Sequence, residues 1–526
     1  MKRRTAHLVC IFALLLAEVS FAYAQAEQGD RLAIPPDNEA SVGFDKLLNR
    51  YHWITRLRYG ATVGSISLFA NQKFLSSLIK TDREFIRDEH FLDVALKHPF
   101  SSSAKGVLQA SSYALSDDQN VALAKAGSHS IQYGVEFVPV ERLMLTPMLG
   151  IRYDNQLGEH DNGILYRALV ASSGLEIGGY EVALNGVNEL AYLAPRRVET
   201  IRDTIGFQKT FVEGSRMNFT FSYLHNRRDF YLGNAQPVSL QYNLPPDIET
   251  RTESGFMFNG GVTYASGRTW SFLVLGALSS RDIGRNISYQ SALQAQPAAL
   301  SPNIEEFRLE GNAMATYSPN SIFSLSGGLS LFEREEQHGV LYDEASSEAS
   351  YDSATSNQER KNNRATRTAL VLDGSYIPSN SDTFKVSLSN SLLRYDTPNL
   401  LNDDDRDELR HTIRLTSFHR INPYLHAAII AEASLAHLVY LAGARSSENT
   451  WNRIIRLSPA LRYEPSTRFM TMNTFEVLAN YTVYDFEYLS STIRSFTFRQ
   501  FAWIDSSIVT LTRRLSLEWY SNIRFY

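Results

Sequence analysis

The sequence predicts an all-β chain, a large closed antiparallel β-barrel of about 20–22 strands that crosses a membrane. Three observations carry this reading. An export signal opens the chain, apolar and polar side chains alternate with a period of two along it, and its connections alternate between short and long.

The export signal occupies residues 1–24. Lys2, Arg3 and Arg4 form a basic start, an apolar run extends from Leu8 to Ala17, and Ala22-Tyr23-Ala24 places small residues where a signal peptidase reads them. The run is about half the ~20 residues a spanning helix needs, so it reads as a cleaved leader. Cys10 lies inside it and is the one cysteine of the chain. Cleavage leaves a cysteine-free protein, which excludes disulfides, thiolate metal sites and cysteine nucleophiles. Losing Lys2, Arg3, Arg4 and Glu18 moves the net charge from −5 to −7. That mildly acidic balance argues against a nucleic-acid partner. The chain carries 27 tyrosines and 29 phenylalanines against 5 tryptophans and 8 methionines. Such rings favour strands, and tyrosine favours membrane interfaces.

The alternation is clearest in Arg216–Tyr223, where Met217, Phe219, Phe221 and Tyr223 share one face and Arg216, Asn218, Thr220 and Ser222 the other. Phe384, Val386 and Leu388 alternate with Lys385, Ser387 and Ser389, and Phe323, Leu325, Leu329 and Leu331 with Ser324, Ser326 and Ser330. Many segments exceed the 9–11 or so residues of a tilted spanning strand. Aromatics such as Trp451 and Tyr463, or Phe469 and Tyr481, stand at both ends of apolar faces, as girdles do. Lipid admits strands only where backbone edges are closed, so export plus many such strands implies a barrel.

Short connections carry turn residues: Pro139, Ser266-Gly267, Ser318-Pro319-Asn320, Pro378-Ser379-Asn380, Asn422-Pro423 and Pro465-Ser466. Longer polar stretches lie between them, at 230–250, 286–303, 338–363, 396–407 and 485–494. Short turns are expected in the periplasm and long loops outside. The organisation that follows is a signal at 1–24, a short periplasmic segment at 25–50 and the barrel at 51–526. Walking from turn to turn gives about 21 strands, the last two near 494–505 and 508–526. That odd number conflicts with the even rule for bacterial barrels and implies either a strand miscounted before residue 100 or a missing final strand.

On these features residues 51–526 resemble the class of Gram-negative outer-membrane β-barrels. The likeness implies location in the outer membrane, contact with its lipid and insertion by the barrel-assembly machinery. Strand number and length are similar to the barrels of TonB-dependent receptors, which implies 22 strands and a plug. Residues 25–50 are too few for a plug domain and contain no TonB-box-like segment, so a plugless or self-obstructed barrel is expected.

No catalytic motif stands out, and the reading is of a non-enzyme without cofactor. Gly158–Gly163 and the acidic stretch Asn402–Glu408 could each hold a cation, but both read better as solvated outer loops. The polar register of each strand predicts pore-lining side chains: Arg152, Arg216, Arg308, Lys385, Arg410, Arg414, Arg456, Arg462, Glu476 and Arg514, with Arg167 and Arg202 beside them. Glu181, Glu306, Glu310, Glu432 and Glu518 are the other lumenal acids, and cations outnumber them. Pairing across neighbouring strands would fill a wet interior, and the surplus of cations would favour anions. The outer loops lean acidic, at Asp154, Glu159, Asp161, Asp343, Glu344 and Asp403–Asp405. Two functions follow: a porin-like channel or transporter for small solutes with slight anion preference, or a non-conducting receptor, adhesin or assembly partner. In either case the loop at 338–363 is the longest candidate to fold into the bore.

Overall fold

A computed structural model describes residues 38–118, 125–211, 214–232, 246–288, 301–341, 348–489, 494–512 and 515–526. Its 24 strands form one antiparallel sheet in which chain neighbours pair. They are β1 (Glu39–Leu47), β2 (Arg50–Val63), β3 (Ile66–Lys80), β4 (Glu84–Pro99), β5 (Ala104–Asp117), β6 (Lys125–Val140), β7 (Leu143–Gln156), β8 (Glu159–Ser172), β9 (Leu175–Ile177), β10 (Tyr180–Leu193), β11 (Arg196–Thr210) and β12 (Arg216–Tyr231). The series continues with β13 (Ile248–Ser266), β14 (Trp270–Ser288), β15 (Pro302–Tyr317), β16 (Phe323–Val340), β17 (Asn363–Tyr376), β18 (Asp382–Asp396), β19 (Arg406–Asn422), β20 (Leu425–Tyr440), β21 (Thr450–Ser466), β22 (Phe469–Tyr484), β23 (Phe496–Thr512) and β24 (Leu515–Phe525). A helix, α1 (Glu348–Glu359), lies between β16 and β17.

The short β9 pairs with the start of β10 while β8 pairs with its remainder. The two are therefore one line of the wall broken at Ser173-Gly174, and the lines number one fewer than the strands. The lines are odd in number, like the 21 strands counted from the sequence, and they exceed the expected 20–22. Two lines were hidden in the sequence. Glu39–Leu47, expected in the periplasm, is β1 and pairs along its length with β2. The stretch 52–75, expected as one strand, holds the hairpin β2–β3 on the turn Gly64-Ser65. Near the C-terminus β23 runs through 506 as far as Thr512 and β24 starts at Leu515, so the break expected near 506 lies inside a strand. β1 and β24 run in the same direction, away from the side of the short turns. Among the described residues β1 pairs only with β2, and β24 only with β23.

Side chains of non-neighbouring strands can touch only on the concave side of a curled sheet, which fixes its inside. Arg152 on β7 reaches Glu189 on β10, Arg167 on β8 reaches Gln109 on β5, and Lys97 on β4 binds Glu136 on β6 at 2.6 Å. The ladder registers carry this assignment around the barrel. Phe221, Phe384, Val386, Leu457 and Leu461 then point outward and are exposed, as the alternation predicts. Phe219 shares that face and stacks on Phe258 at 5.8 Å. Tyr264, Trp270 and Tyr317 cluster on neighbouring strands beside the short turns, a girdle at the lower rim. This outward band, apolar with aromatic borders, is that of a strand barrel in lipid.

Candidate functional site

The lumen has two unlike walls. On β5–β11 the inward side chains are buried. Val107, Met148, Leu165, Leu169, Ala191 and Leu193 are each 6% exposed or less, mixed with Gln109, Gln132, Glu136 and Thr146. Leu165, Ala191, Leu193 and Val198 form one apolar cluster. Above it the Arg196 side chain is fully buried. It donates to Asp161 at 2.5 Å, lies 3.8 Å from Asp154 and stacks on the Tyr231 ring at 4.7 Å. The Tyr231 hydroxyl donates to the same Asp161 at 2.9 Å, tying the top of β12 over the short β7–β8 and β10–β11 turns. Burying these charges is tolerable only because each is paired and hydrogen-bonded.

The wall from β12 to β23 is open. Many of its inward side chains are hydroxyls, amides and ion pairs that remain wet, although Glu249, Ser458 and Thr482 are buried: Arg414 is 54% exposed where Arg196 is 0%. Thr316 and Ser326 bond at 2.9 Å and Thr412 donates to Ser434 at 3.3 Å, typical of cross-strand polar pairs.

Nine of the ten predicted pore-lining residues stand on inward faces, and Arg514 lies outside the described residues. Most are neutralised. Arg152 binds Asp154 at 2.8 Å, Arg308 binds Glu310 at 2.6 Å, Arg410 binds Glu408 at 2.6 Å, and Arg462 binds Glu464 at 2.6 Å. Arg414 binds Glu432 at 2.7 Å, and Arg456 sits between Glu432 at 3.7 Å and Glu476 at 3.4 Å. Among the described residues, Arg216 and Lys385 have no carboxylate at ion-pair distance. Arg216 donates to Gln208, and Lys385 lies 5.8 Å from the Phe418 ring. Sequence reasoning missed several inward charges, among them Arg281 between Glu253 and Glu306, and Arg334 on Glu336. Each of these arginines lies directly across a ladder from, or two residues along from, its acid, a spacing that could have revealed them.

The suspected cation loops do not assemble. Leu157 and Gly158, both at positive φ, make a two-residue turn, and β8 starts at Glu159. Asp161 turns inward to Arg196, while His160 bonds the Tyr153 hydroxyl at 2.6 Å. In 402–408, Asp404 pairs with Arg445 and Asp405 accepts from the Thr397 amide. Asp154 and Asp161 are thus buried wall residues and not acidic loops; Asp343 and Glu344 lie outside the described residues.

The outer rim is stitched from β16 to β23. α1 packs against β16, and just beyond it Arg360 donates to the Leu401 carbonyl at 3.3 Å and accepts from Asn402 at 2.7 Å. Arg445 joins Asp404 to Glu448, and His437 bonds Asp485 at 2.9 Å. Arg445 holds the Glu448 carboxyl below its ordinary range. Of the loop expected to fold inward at 338–363, residues 342–347 lie outside the described residues, and the described helix α1 packs against β16 at the rim.

No family model matches the chain, and no curated protein matches its sequence. Among solved structures it is similar to the ferric yersiniabactin uptake receptor FyuA of Yersinia pestis, with 9% identity over 93% of this chain and 75% of that one, TM-score 0.48. It is also similar to the copper transporter OprC, with 10% identity over 91% and 72%, TM-score 0.47. A third is the ferric citrate transporter FecA, with 10% identity over 94% and 79%, TM-score 0.44.

Proposed function

We propose that this chain is an outer-membrane transport barrel that passes small polar solutes through its lumen, with a slight preference for anions. The observation that supports it most is the wet part of the β12–β23 wall, lined by hydroxyls and ion pairs, with Arg216 and Lys385 among the cations that have no carboxylate at ion-pair distance among the described residues. A nearly balanced interior gives weak selectivity, and cations without a partner carboxylate, such as Arg216 and Lys385, tilt it toward anions. Reversal potentials across a salt gradient in planar bilayers test this. Replacing Lys385 and Arg216 with glutamine should abolish the preference for anions. Arg456→Gln should move it further toward cations, because Glu476 then faces the bore unpaired. Clear cation preference in the native protein would defeat the selectivity claim.

A second reading, a receptor or assembly partner, is favoured by the stitched collar, which presents an ordered outer surface. A barrel that conducts nothing, even after deletion of residues 338–363, would support that reading in place of transport.

A further inference from the structure

One polar pair sits on the outward face where lipid should be. Asp203 is the central residue of the fifteen in β11, with seven on either side. Hydrocarbon is spanned by about 9–11 tilted residues, so Asp203 lies within it wherever the hairpin sits vertically. Its direction follows from the ladders. Glu189 faces inward to Arg152 and Arg167, so Asn188 faces outward; Asn188 pairs with Ile201, and two residues on, Asp203 shares that face. The residues around it are mostly apolar, Ile201, Ile205, Leu184, Val170 and Phe221, with the Tyr223 side chain across the ladder on the same face.

The Asp203 carboxylate lies over Gly186, where any Cβ would come within 2.6 Å of its oxygen. Among the described residues, its one hydrogen-bond donor is the Asn188 amide at 3.2 Å. A carboxylate can accept about four bonds and a primary amide donates two, so both groups have capacity left over. An ionisable side chain in hydrocarbon with unused acceptors marks a contact. The patch supplies donor and acceptor side by side, which is what a two-fold contact requires, each copy's Asn188 reaching the other's Asp203. Gly186 and Ala168 on the same face let two walls approach closely. The outer turns of this flank, Leu157-Gly158 and Ala194-Pro195, are too short to obstruct a neighbour.

We propose that the outward face of β8–β11 is an intramembrane interface with a second copy of this chain, centred on Asn188 and Asp203. The inference rests on the barrel lying in a membrane and is independent of what crosses the lumen. The experiment is cross-linking in outer membranes of cells making the full chain with Ala168→Cys, using a short bismaleimide; the mature chain has no other cysteine. A product of twice the monomer mass is expected. Asp203→Leu should reduce it about tenfold, the effect of losing roughly 1–2 kcal/mol of intramembrane hydrogen bonding. Asp203→Asn, which keeps an acceptor, should retain most of it, and Gly186→Leu should remove it by holding the walls apart. Heat-modifiable mobility of each variant confirms that the barrel has folded. No adduct, or an adduct whose mass is that of a different protein, overturns the proposal. So does a dimer that Asp203→Leu leaves unchanged.

Discussion

The wall from β5 to β11 and the wall from β12 to β23 obey the same alternation and differ in what their inward residues meet. On the first, non-neighbouring strands bring side chains together across the concave side, so Leu165, Ala191 and Arg196 are buried as in a soluble core. On the second, inward side chains meet their ladder neighbours and water. One half of the barrel therefore serves as a folding core, and the other half carries the lumen.

Substitutions should separate the two halves. The largest effect is expected for Arg196→Ala, which strands Asp161 without its guanidinium in a buried site and should cost about 3–5 kcal/mol. Arg414→Ala on the open wall removes an exposed ion pair and should cost about 1 kcal/mol or less. Urea unfolding of reconstituted protein measures both, and equal losses would erase the distinction between the walls. Leu165→Ala should fall just below Arg196→Ala, at about 2–5 kcal/mol for an aliphatic truncation in a closed cluster.

Next in size comes Val386→Arg, which puts a charge on the outward band of β18 and should cost about 2–4 kcal/mol near the midplane. Ser387→Arg, one residue on and facing the open lumen, should fold and insert nearly as well as the native chain. If both variants failed alike, the inside and outside of the β12–β23 wall would have to be exchanged.

The smallest effect concerns the collar of the open half. Glu448 is held below its ordinary carboxyl range by Arg445, so its contribution is present at neutral pH and is lost as pH falls through that lowered value. The contacts joining 397–405 to 441–449 should loosen only in that acid range, read as faster hydrogen exchange in 441–449. Loosening that begins near neutral pH would dissociate the collar from Glu448.

The fold was legible because lipid enforces the alternation on the outward face. Segments such as 216–223 in β12, 323–331 in β16 and 383–389 in β18 keep it, and their facing followed directly. β1 was missed because Gly43 and Asp45 dilute a short segment, and β2–β3 merged because Gly64-Ser65 is a minimal turn. Ser506-Ser507 reads as a turn, yet Ser507 belongs to β23 and donates to Asp505 at 3.1 Å in an outward polar network with Thr471. The packed wall was not legible at all. Leu165, Leu169 and Val187 are apolar on the inward side, against the binary rule, and what buries them is curvature rather than any neighbour in sequence. The arginines expected to line a pore lie on inward faces, but most of their charge is spent on acids that only the ladder register reveals.

The shared direction of β1 and β24 has a practical side. With short turns below and long loops above, β1 begins at the periplasmic end and β24 finishes at the outer end. An epitope placed ahead of Glu39 would be hidden from antibodies in intact cells, while one placed after Phe525 would be displayed to the medium. Tags set at these two strand ends, the start of β1 and the finish of β24, would report the orientation of every inserted molecule without any lumenal assay.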